Sequence, residues 1–430
     1  MSDHAQPHSP PQPVAHGLHG DWCQPDWSAW TLNEADQLLR HYDGTGRALE
    51  ILHHSPRPFS AAARLLTTTG QLVLKRHARA VRSLHSLREE HAFAAWLAAR
   101  TTLVTPPLRA RDGRTAIENA DWIVEVFPVA PGFDLYQQAM SWTPYRSADH
   151  AWAAGRALAE LHAATQGYAA DARGLAPLIT SFTLPPAQHP AAALRSYCAA
   201  RPRLRQWLAS QNGEQEFLQR FLPWQQSLRQ VASDLPLPRQ GTTNPMMTPL
   251  WTHNDWHGSN LLWSSDDEHA HVTSVIDFGL ADRTCAALDV ATALERSVID
   301  WLALGPSSSS PALVDSAQAA ALLTGYEHHR PMTRQERRVI AAMLPIAHCE
   351  FALSETDYFL SVLGDEARAQ VAWSEYCLGH MDWFGHGVGA QMMEWMQAWA
   401  EGQISMPSET RMTDETRVPD PANQSNRSQQ

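Results

Sequence analysis

The spacing of apolar and polar residues divides the chain into a mixed first part and a mainly helical second part. Two short apolar runs, 62–66 and 72–76, stand on either side of a Thr-Thr-Thr-Gly-Gln segment with Gly70 at its turn, which predicts a β-hairpin. The other elements predicted before residue 131 are helices at 32–42 and 86–99 and a strand pair at 108–110 and 122–127. The first third is therefore expected to contain strands and one prominent helix.

From residue 149 onward the apolar residues follow helical spacing almost throughout. Predicted helices cover 151–162, 288–304, 312–329, 334–363 and 367–402, with two more within 190–232. An exception lies between residues 261 and 276, where two short apolar runs flank a polar turn, as in an antiparallel hairpin. We therefore predict an α+β fold in which a small mixed β/α lobe is followed by a larger, mainly helical lobe.

Both ends of the chain differ in composition from the rest. Residues 1–25 are rich in Pro, His and Gln without periodicity, and residues 404–430 are polar, so we expect two disordered tails. Between the tails, the change from a mixed to a helical pattern predicts a first lobe over 26–130 and a second lobe over 131–403.

The composition limits the kinds of molecule that the protein is expected to bind. The 430 residues include 45 acidic and 33 basic side chains, for a net charge of −12, which disfavours a protein that follows nucleic-acid phosphates. Five scattered cysteines without a C-x-x-C pair are typical of a reducing compartment. The chain shows no signal-peptide pattern and no uninterrupted apolar stretch of ~18 residues. We expect a cytoplasmic protein that binds a small molecule and neither nucleic acid nor a membrane.

The segment 251–282 places polar residues directly beside predicted strands. Asn260 stands at the start of one run of the predicted hairpin and Asp277 follows the end of the other, so pairing of the runs brings the two together. An amide oxygen and a carboxylate suit Mg²⁺, which keeps water molecules and substrate phosphates as its other ligands. Asp255 precedes Asn260 by five residues, where a base for an acceptor hydroxyl belongs in phosphoryl transfer.

These residues form the patterns H-x-D-x-x-x-x-N and I-D-F-G, which resemble the catalytic and metal-binding loops of the aminoglycoside phosphotransferase and choline kinase family. The resemblance implies a two-lobed protein-kinase-like fold and transfer of the γ-phosphoryl group of ATP or GTP to a hydroxyl of a small-molecule acceptor. It implies Asp255 as the catalytic base, with His257 close to the transferred group. Asn260 and Asp277 would bind Mg²⁺. Asp289, in A-L-D-V-A, matches a family residue that braces the catalytic loop.

The same resemblance extends to the nucleotide. Lys75, the single lysine of the chain, ends a predicted strand, where the family pattern has the lysine that pairs with the phosphates. Its partner would be Glu90 on the next helix, with Glu89 as the alternative. The later strand W-I-V-E-V-F-P resembles the hinge, whose backbone at Glu125 and Phe127 would bind the purine.

Three features depart from the family pattern. The loop 53–64, which would cover the phosphates, contains no glycine and offers Arg57 and Ser60 as phosphate contacts. In the catalytic loop, Asn254 replaces the usual Gly, and Gly-Ser at 258–259 replaces the usual Pro-Gly. None of these changes removes a reacting group.

Other functions fit parts of the pattern. His253, Asp255 and His257 alternate and would suit zinc in a metallohydrolase, although Gly-Ser follows directly and a separate His-rich motif is absent. A catalytically silent kinase-like module would bind nucleotide only, and the presence of all four reacting groups speaks against it. A protein Ser/Thr kinase is disfavoured because His257 stands where such kinases have Lys and no A-P-E pattern follows Asp277.

The sequence does not name the acceptor. Glu350, Ser354 and Asp357 fall at i, i+4 and i+7 of a predicted helix and so share one face. Close to the base, this face would suit a cationic acceptor such as an aminoglycoside or amino alcohol. A solvated helix face explains the same spacing. Homoserine, sugars and thiamine remain open as acceptors.

Overall fold

The computed structural model describes residues 25–183, 189–233, 247–304, 310–404 and 406. The two tails for which disorder was predicted lie almost wholly outside these residues. Within them the chain forms a small lobe built on an antiparallel sheet and a larger helical lobe, which confirms the predicted α+β, two-lobed architecture.

The first lobe is a five-stranded antiparallel sheet with two helices. Its elements are α1 (Leu32–Leu39), β1 (Ala48–His54), β2 (Ala61–Thr67), β3 (Gly70–Ala78), α2 (Leu84–Ala98), β4 (Ile117–Asn119) and β5 (Trp122–Pro128). The strand order is β1-β2-β3-β5-β4. The predicted hairpin is β2–β3, in which Thr67 pairs with Gly70. Gly70 has a φ of +142°, a conformation that side chains rarely adopt, so glycine permits the tight turn.

Strand β5 is confirmed, but the partner predicted for it is wrong. Residues 108–110 form no strand, and β5 pairs instead with β3 and with β4. Leu108 N donates a single hydrogen bond to Val126 O at 2.7 Å. The chain then turns, because Ala110 N bonds Arg114 O at 2.7 Å, and this turn leads into β4.

The second lobe is mainly helical and carries two short strand pairs. Its first part comprises α3 (Ala148–Thr165), α4 (Pro190–Ala199), α5 (Pro202–Ser210), α6 (Gly213–Ser233), β6 (Pro249–Thr252), β7 (Leu261–Trp263), β8 (Val272–Val275) and β9 (Asp282–Cys285). Its second part comprises α7 (Ala286–Val298), α8 (Ser316–His329), α9 (Arg334–Asp357), α10 (Glu366–Val371), α11 (His380–Phe384) and α12 (Gly387–Ala400), with π-helical turns at Tyr358–Leu363 and Ala372–Gly379.

Several predicted helices are divided in the structure. The region 190–232 holds three helices rather than two, because Pro202, which has no amide hydrogen to donate, begins α5. The predicted helix 367–402 is interrupted before Gly387, whose φ of +51° starts a new helix, α12. Helical spacing of apolar residues continues across both interruptions, so the sequence pattern does not reveal them.

Two glycines allow α3 and α8 to pack with their backbones in contact. A Cβ atom on Gly155 would lie 1.9 Å from Leu322 O, and one on Gly325 would lie 2.0 Å from Trp152 O. Only glycine permits this approach. As a result, His162 on α3 and Tyr326 on α8 meet, with His162 Nδ1 2.8 Å from the Tyr326 hydroxyl.

Helix α9 and its π-helical extension form the centre of the second lobe. By length and composition, Arg334–Leu363 could cross a membrane, but its apolar window is entirely buried within the protein. Its apolar character is that of a core helix.

Candidate active site

The loop 253–260, between β6 and β7, is held in place by Asp289 in the first turn of α7. The buried carboxylate of Asp289 accepts hydrogen bonds from His253 N at 2.9 Å and from Asn254 N at 2.8 Å. His162 Nε2 lies 3.0 Å from the same carboxylate. Asp289 thus contacts the loop in the way that the resemblance implied.

Asn254 occupies a backbone conformation that explains why glycine is usual at this position. Its φ is +63°, in the left-handed region, which Asn adopts more readily than most residues. The side chain then adds hydrogen bonds that glycine would lack. Its Oδ1 accepts from Thr252 Oγ1 at 2.8 Å and Thr284 Oγ1 at 3.0 Å, and its Nδ2 donates to Leu280 O at 3.1 Å. Asn254 therefore joins the loop to β6 and β9.

The Gly-Ser pair also has a structural reason. Gly258 packs against Tyr136, whose ring carbons would lie 2.9 Å from a Cβ atom at this position. Ser259 Oγ is 2.8 Å from His257 Nδ1 and so fixes the orientation of that imidazole ring. Neither contact would form with the usual Pro-Gly.

Asp255 is surrounded by groups that favour its ionised form. Its Oδ2 accepts a hydrogen bond from Asn260 Nδ2 at 3.1 Å and lies 3.5 Å from His257 Nε2. Its Oδ1 lies 3.7 Å from Arg296 Nη2. Burial alone would raise the pKa of this carboxyl, but His257 and then Arg296 outweigh burial and hold the pKa well below its usual range. An ionised Asp255 can accept a hydrogen bond from an alcohol.

The β7–β8 hairpin forms as predicted and brings Asn260 next to Asp277. Leu261 pairs with Val275, and Ile276 N donates to Asn260 O at 2.9 Å. Asp277 follows with a φ of +58°, which turns the chain and directs its carboxylate toward the sheet. Burial would raise the pKa of Asp277, but the charge of Lys75 lowers it below the usual value.

These two side chains fit a magnesium ion. The amide nitrogen of Asn260 is engaged by Asp255 and by His257 Nε2, at 3.1 Å, so within the described residues its amide oxygen is left without a donor. The side chain of Asp277 is 40% exposed. An amide oxygen and a carboxylate oxygen are hard donors of the kind Mg²⁺ prefers, with water molecules and phosphates completing its shell.

His253, one of the ligands in the zinc alternative, is already engaged by the protein. His253 Nε2 lies 3.0 Å from Ile276 O, and His253 Nδ1 accepts a hydrogen bond from Asp255 N at 3.2 Å. Both ring nitrogens are therefore engaged within the loop. Among residues 25–183, 189–233, 247–304 and 310–404, no group of three His, Cys, Asp or Glu side chains is arranged to hold a metal ion.

Lys75, on β3, pairs with Asp277 rather than with Glu90. Its Nζ lies 2.7 Å from Asp277 Oδ1. Burial alone would lower the pKa of Lys75, and the carboxylates led by Asp277 raise it above the usual value instead. Glu90 is buried on α2 and lies 3.7 Å from Arg173 Nη2. The alternative, Glu89, lies 3.5 Å from the exposed His85.

Two adjoining cavities meet at this pair. The larger, of about 260 Å³, lies under the sheet and is lined by Lys75, Glu90, the segment 127–130 and Asp277. The smaller, of about 120 Å³, contains Asp255 and His257. The residues common to both cavities are Pro56, Arg57, Ser60, Lys75, Asn260 and Asp277. A group transferred from one cavity to the other would pass these side chains.

The backbone groups of Glu125 and Phe127, which were expected to bind the purine, face the neighbouring strand β3. Val126 O accepts from Leu108 on the outer edge of β5. Because neighbouring strand residues direct their backbone groups to opposite edges, Glu125 and Phe127 direct theirs toward β3, where Lys75 and Val73 are their partners. The next outward-facing group of β5 is the Pro128 carbonyl, and Pro128 and Ala130 both line the larger cavity.

The side chain of Glu125 has a separate, buried role. Its carboxylate contacts His77 Nε2 at 2.9 Å and His91 Nε2 at 2.5 Å. Burial would raise its pKa, but the hydrogen bonds from the two histidines lower it well below the usual value. Nothing in the local sequence around 122–128 indicates these partners, which come from β3 and α2.

Arg296 is the site residue that sequence reasoning missed. It lines the smaller cavity together with Met140, Trp142, Leu178 and Phe351. Arg296 follows Asp289 by seven residues, so both lie on the same face of α7. This spacing is the signal that could have identified it.

The polar face of α9 does not reach either cavity. Glu350 is buried and accepts hydrogen bonds from Phe182 N and from Thr183 Oγ1. Ser354 Oγ donates to Ile179 O at 3.1 Å, and Asp357 pairs with Arg201 at 3.0 Å. These side chains bind the segment 179–183 and Arg201, so they form neither a solvated face nor part of the cavity walls.

Comparison with known proteins gives one family and several similar solved structures. The family model described as APH, phosphotransferase enzyme family, matches residues 56–334. A microcompartment-associated aminopropanol kinase is 17% identical with a TM-score of 0.56, over 84% of this chain and 99% of that one. An aminoglycoside phosphotransferase from Alicyclobacillus acidocaldarius is 16% identical with a TM-score of 0.47, over 88% and 97%. No match was found among curated proteins.

Proposed function

The chain belongs to the phosphotransferase enzyme family, and from that premise we propose that it transfers the γ-phosphoryl group of ATP to a hydroxyl of a small molecule. The observation that carries the proposal is the junction of the two cavities, where Lys75, Asn260 and Asp277 border both and Asp255 borders only the smaller. The larger cavity would take the nucleotide and the smaller the acceptor.

The walls of the larger cavity suit a purine nucleotide. Ala62 and Val73 of the sheet line it from one side, and Leu262 and Ile276 of the second lobe line it from the other. The Pro128 carbonyl and the Ala130 amide would supply the acceptor and the donor that an adenine edge needs. Glu125 and Phe127, whose backbone groups belong to the β3 ladder, would support this edge without contacting the base directly.

The phosphates would lie among the cations at the junction. Lys75 would bind them, with Asp277 and then Glu125 and Glu90 holding its ammonium charged. Arg57 also borders both cavities, and within the described residues it has no carboxylate at ion-pair distance. When bound to Asn260 and Asp277, Mg²⁺ would neutralise charge that develops on the phosphate oxygens.

Asp255 would accept the proton of the acceptor hydroxyl. Its low pKa makes it a weak base, so its main contribution is to hold the hydroxyl in line with the phosphorus atom, while the proton moves late in the transfer. His257 would lie beside the transferred group and, through its contact with Asp255, keep the carboxylate ionised. Asp289 would act on the reaction only by positioning the loop.

We extend the proposal to the lobes and to the location of the protein. Residues 26–130 would form the nucleotide-binding lobe and 131–403 the lobe that binds the acceptor. Cys198, Cys285 and Cys349, like Cys377, are buried and unpaired, which suits a reducing compartment and supports a cytoplasmic location.

Thermal unfolding with Mg·ATP, Mg·GTP, and ATP plus a chelator tests the proposal. At about 100 times the dissociation constant a bound nucleotide adds about 2.7 kcal/mol to the free energy of unfolding. We expect a shift with Mg·ATP that falls when the metal is removed and that Asp277→Asn largely abolishes. A shift of equal size with and without Mg²⁺ would contradict the metal assignment. No shift with either nucleotide would contradict the nucleotide assignment.

A further inference from the structure

Arg296 is a buried guanidinium whose hydrogen-bonding capacity is not used by the protein. Its side chain is 2% exposed. Its Cζ atom lies 4.0 Å from the centroid of the Phe351 ring and 4.9 Å from that of the Trp142 ring. Its Nε has no hydrogen-bond partner, and within the described residues its terminal nitrogens make no hydrogen bond. Buried polar groups in proteins are nearly always hydrogen-bonded, so five unused donors at a cavity wall point to a ligand.

The carboxylates near Arg296 attract its charge without occupying its donors. Glu295 Oε2 lies 3.4 Å from its Nε, and Asp255 Oδ1 lies 3.7 Å from its Nη2. Glu295 is itself engaged by His348, whose Nδ1 is 2.7 Å from Oε1. Both carboxylates therefore keep Arg296 charged and in place, and its terminal nitrogens remain available to an acceptor in the cavity.

The charges around the smaller cavity favour an anionic acceptor. The ionisable residues that line it, apart from two histidines, are the cations Arg57, Lys75, Arg82 and Arg296 and the carboxylates Asp255 and Asp277. In the proposed function, Lys75 and Asp277 serve the nucleotide and its metal, and Asp255 takes the hydroxyl. No carboxylate in the described lining is then left to bind an ammonium group.

Two further features support this assignment. The acidic face of α9, which would have suited a cationic acceptor, is buried against the segment 179–183 and Arg201. Arg82 is buried too. Within the part of the chain that the structure describes, it donates only to the carbonyls of Gly279 at 2.7 Å and Val81 at 3.4 Å, and its Nε has no partner. Its charge adds to the positive potential on the metal side of the cavity.

We propose that the acceptor is a hydroxylated carboxylic acid whose carboxylate binds Arg296 while its hydroxyl binds Asp255. The proposal rests on the proposed phosphotransfer from nucleotide to alcohol. Because Arg296 and Asp255 are neighbours, hydrogen-bond lengths limit the distance between the hydroxyl and the carboxylate to about 9 Å. Met140, Trp142 and Leu178 would contact the apolar body of the acceptor.

Three compounds that differ only in charge test the proposal. They are 3-(hydroxymethyl)benzoate, 3-(hydroxymethyl)benzamide and 3-(aminomethyl)benzyl alcohol, which share a ring and a primary alcohol. Their binding to the complete chain with Mg·AMP-PNP is measured by thermal unfolding, and their phosphorylation with Mg·ATP by ³¹P NMR. We expect the benzoate to bind about ten-fold or more tightly than the amide, since a charge-assisted bidentate pair is lost in the amide.

Arg296→Met and Arg296→Lys identify the residue responsible, and Arg156→Met, an exposed position on α3, is the matched control. We expect Arg296→Met to lose the preference for benzoate and the control to keep it. Arg296→Lys should weaken the preference, because an ammonium still attracts the carboxylate but cannot form the bidentate pair. If Arg296→Met does not fold, as judged by circular dichroism, the lysine variant and the preference of the wild type still decide the outcome.

Several results would overturn the proposal. These are tighter binding of the amine, an equal response or no response to all three compounds, or a benzoate preference that survives undiminished in both variants. If Arg296 only positions Asp255, its variants will slow phosphorylation of the benzoate and the amide by the same factor, and that result also overturns the proposal. Benzoate binding through Arg296 without a shift by Mg·AMP-PNP would contradict the nucleotide assignment alone.

Discussion

Lys75 Nζ lies 2.7 Å from Asp277 Oδ1, although 202 residues separate the two in sequence. The contact joins β3 of the sheet to the residue after the β7–β8 hairpin and so spans the cleft between the lobes. Each charge keeps the other ionised, because the opposite charge outweighs desolvation in the cleft, raising the pKa of Lys75 and lowering that of Asp277. A cation and the carboxylate that we propose as a Mg²⁺ ligand are thereby placed where the two cavities meet.

Lys75→Met should remove most of the stabilisation by nucleotide. The change keeps the length of the side chain and removes the charge that would bind the phosphates, so the shift of about 2.7 kcal/mol expected at 100 times the dissociation constant should be largely lost. Calorimetric unfolding with Mg·ATP measures it. Arg79→Met is the control, since Arg79 forms an exposed pair with Glu118 and should leave the shift unchanged. An undiminished shift in Lys75→Met would exclude Lys75 from the phosphate site.

Asp255→Asn should abolish phosphotransfer while nucleotide binding persists. The amide keeps the shape of the side chain but neither accepts a proton nor holds the hydroxyl in the same way, and loss of one positioned base lowers turnover by roughly 10²–10⁴-fold. Phosphorylation of the preferred acceptor and thermal unfolding with Mg·ATP are measured on the same preparation. Asp266→Asn, at an exposed position of the β7–β8 turn, should behave as the wild type. Turnover at the wild-type rate in Asp255→Asn would contradict the assignment of Asp255 as the catalytic base.

The parts of the site predicted from sequence are those whose geometry is local. Asn260 and Asp277 meet because a short hairpin fixes them, and the hairpin is visible as two apolar runs around a polar turn. Asp289 could be placed because its spacing from the catalytic loop follows a family pattern. In these cases a few neighbouring residues determine the arrangement.

The parts that the sequence did not predict depend on packing between distant segments. Lys75 forms its ion pair with Asp277 and not with Glu90 because of the way the two lobes pack against each other. The polar face of α9 looks solvated in isolation, and only the segment 179–183 packed against it shows that Glu350 is buried. The sequence predicted that the backbone of Glu125 binds the purine. In the structure this backbone faces β3, and the register of the two strands cannot be read from the alternation of residues alone.

Asn254→Gly should destabilise the protein even though the backbone conformation favours glycine. At a φ of +63° glycine relieves strain, but the change also deletes the bonds to Thr252, Thr284 and Leu280. Net loss of about 1–2 kcal/mol is expected, because each buried hydrogen bond contributes about 1 kcal/mol and leaves unpaired groups behind.

Asn212→Gly is the matched control for that change. Asn212 has a φ of +58° but is exposed, and no side-chain hydrogen bond is present for it within the described residues. Chemical denaturation should therefore show Asn212→Gly to be neutral or slightly stabilising. Equal effects of the two substitutions would mean that the hydrogen bonds of Asn254 do not stabilise the loop.

Glu350 should make the free energy of unfolding fall as the pH rises toward neutrality. Burial raises the pKa of this carboxyl from 4.5 to about 7, against the hydrogen bonds that it accepts from the segment 181–183. Between pH 4.5 and about 7, the carboxyl of Glu350 is therefore protonated in the folded state and ionised in the unfolded state. The stabilising contribution is complete below about pH 4.5 and is lost as the pH passes through about 7, with a total change on the order of 3 kcal/mol.

Glu350→Gln should flatten this dependence, because the amide resembles the protonated carboxyl and does not titrate. Denaturant unfolding between pH 5 and 8 gives the slope for the wild type, for Glu350→Gln and for Glu216→Gln, an exposed change on α6 that should leave the slope as it is. Since Glu350 holds the segment 179–183 against α9, and Leu178 beside it lines the smaller cavity, the affinity for the acceptor should decline over the same pH interval. A slope that is the same in the wild type and in Glu350→Gln would show that Glu350 is ionised in the folded protein at pH 5.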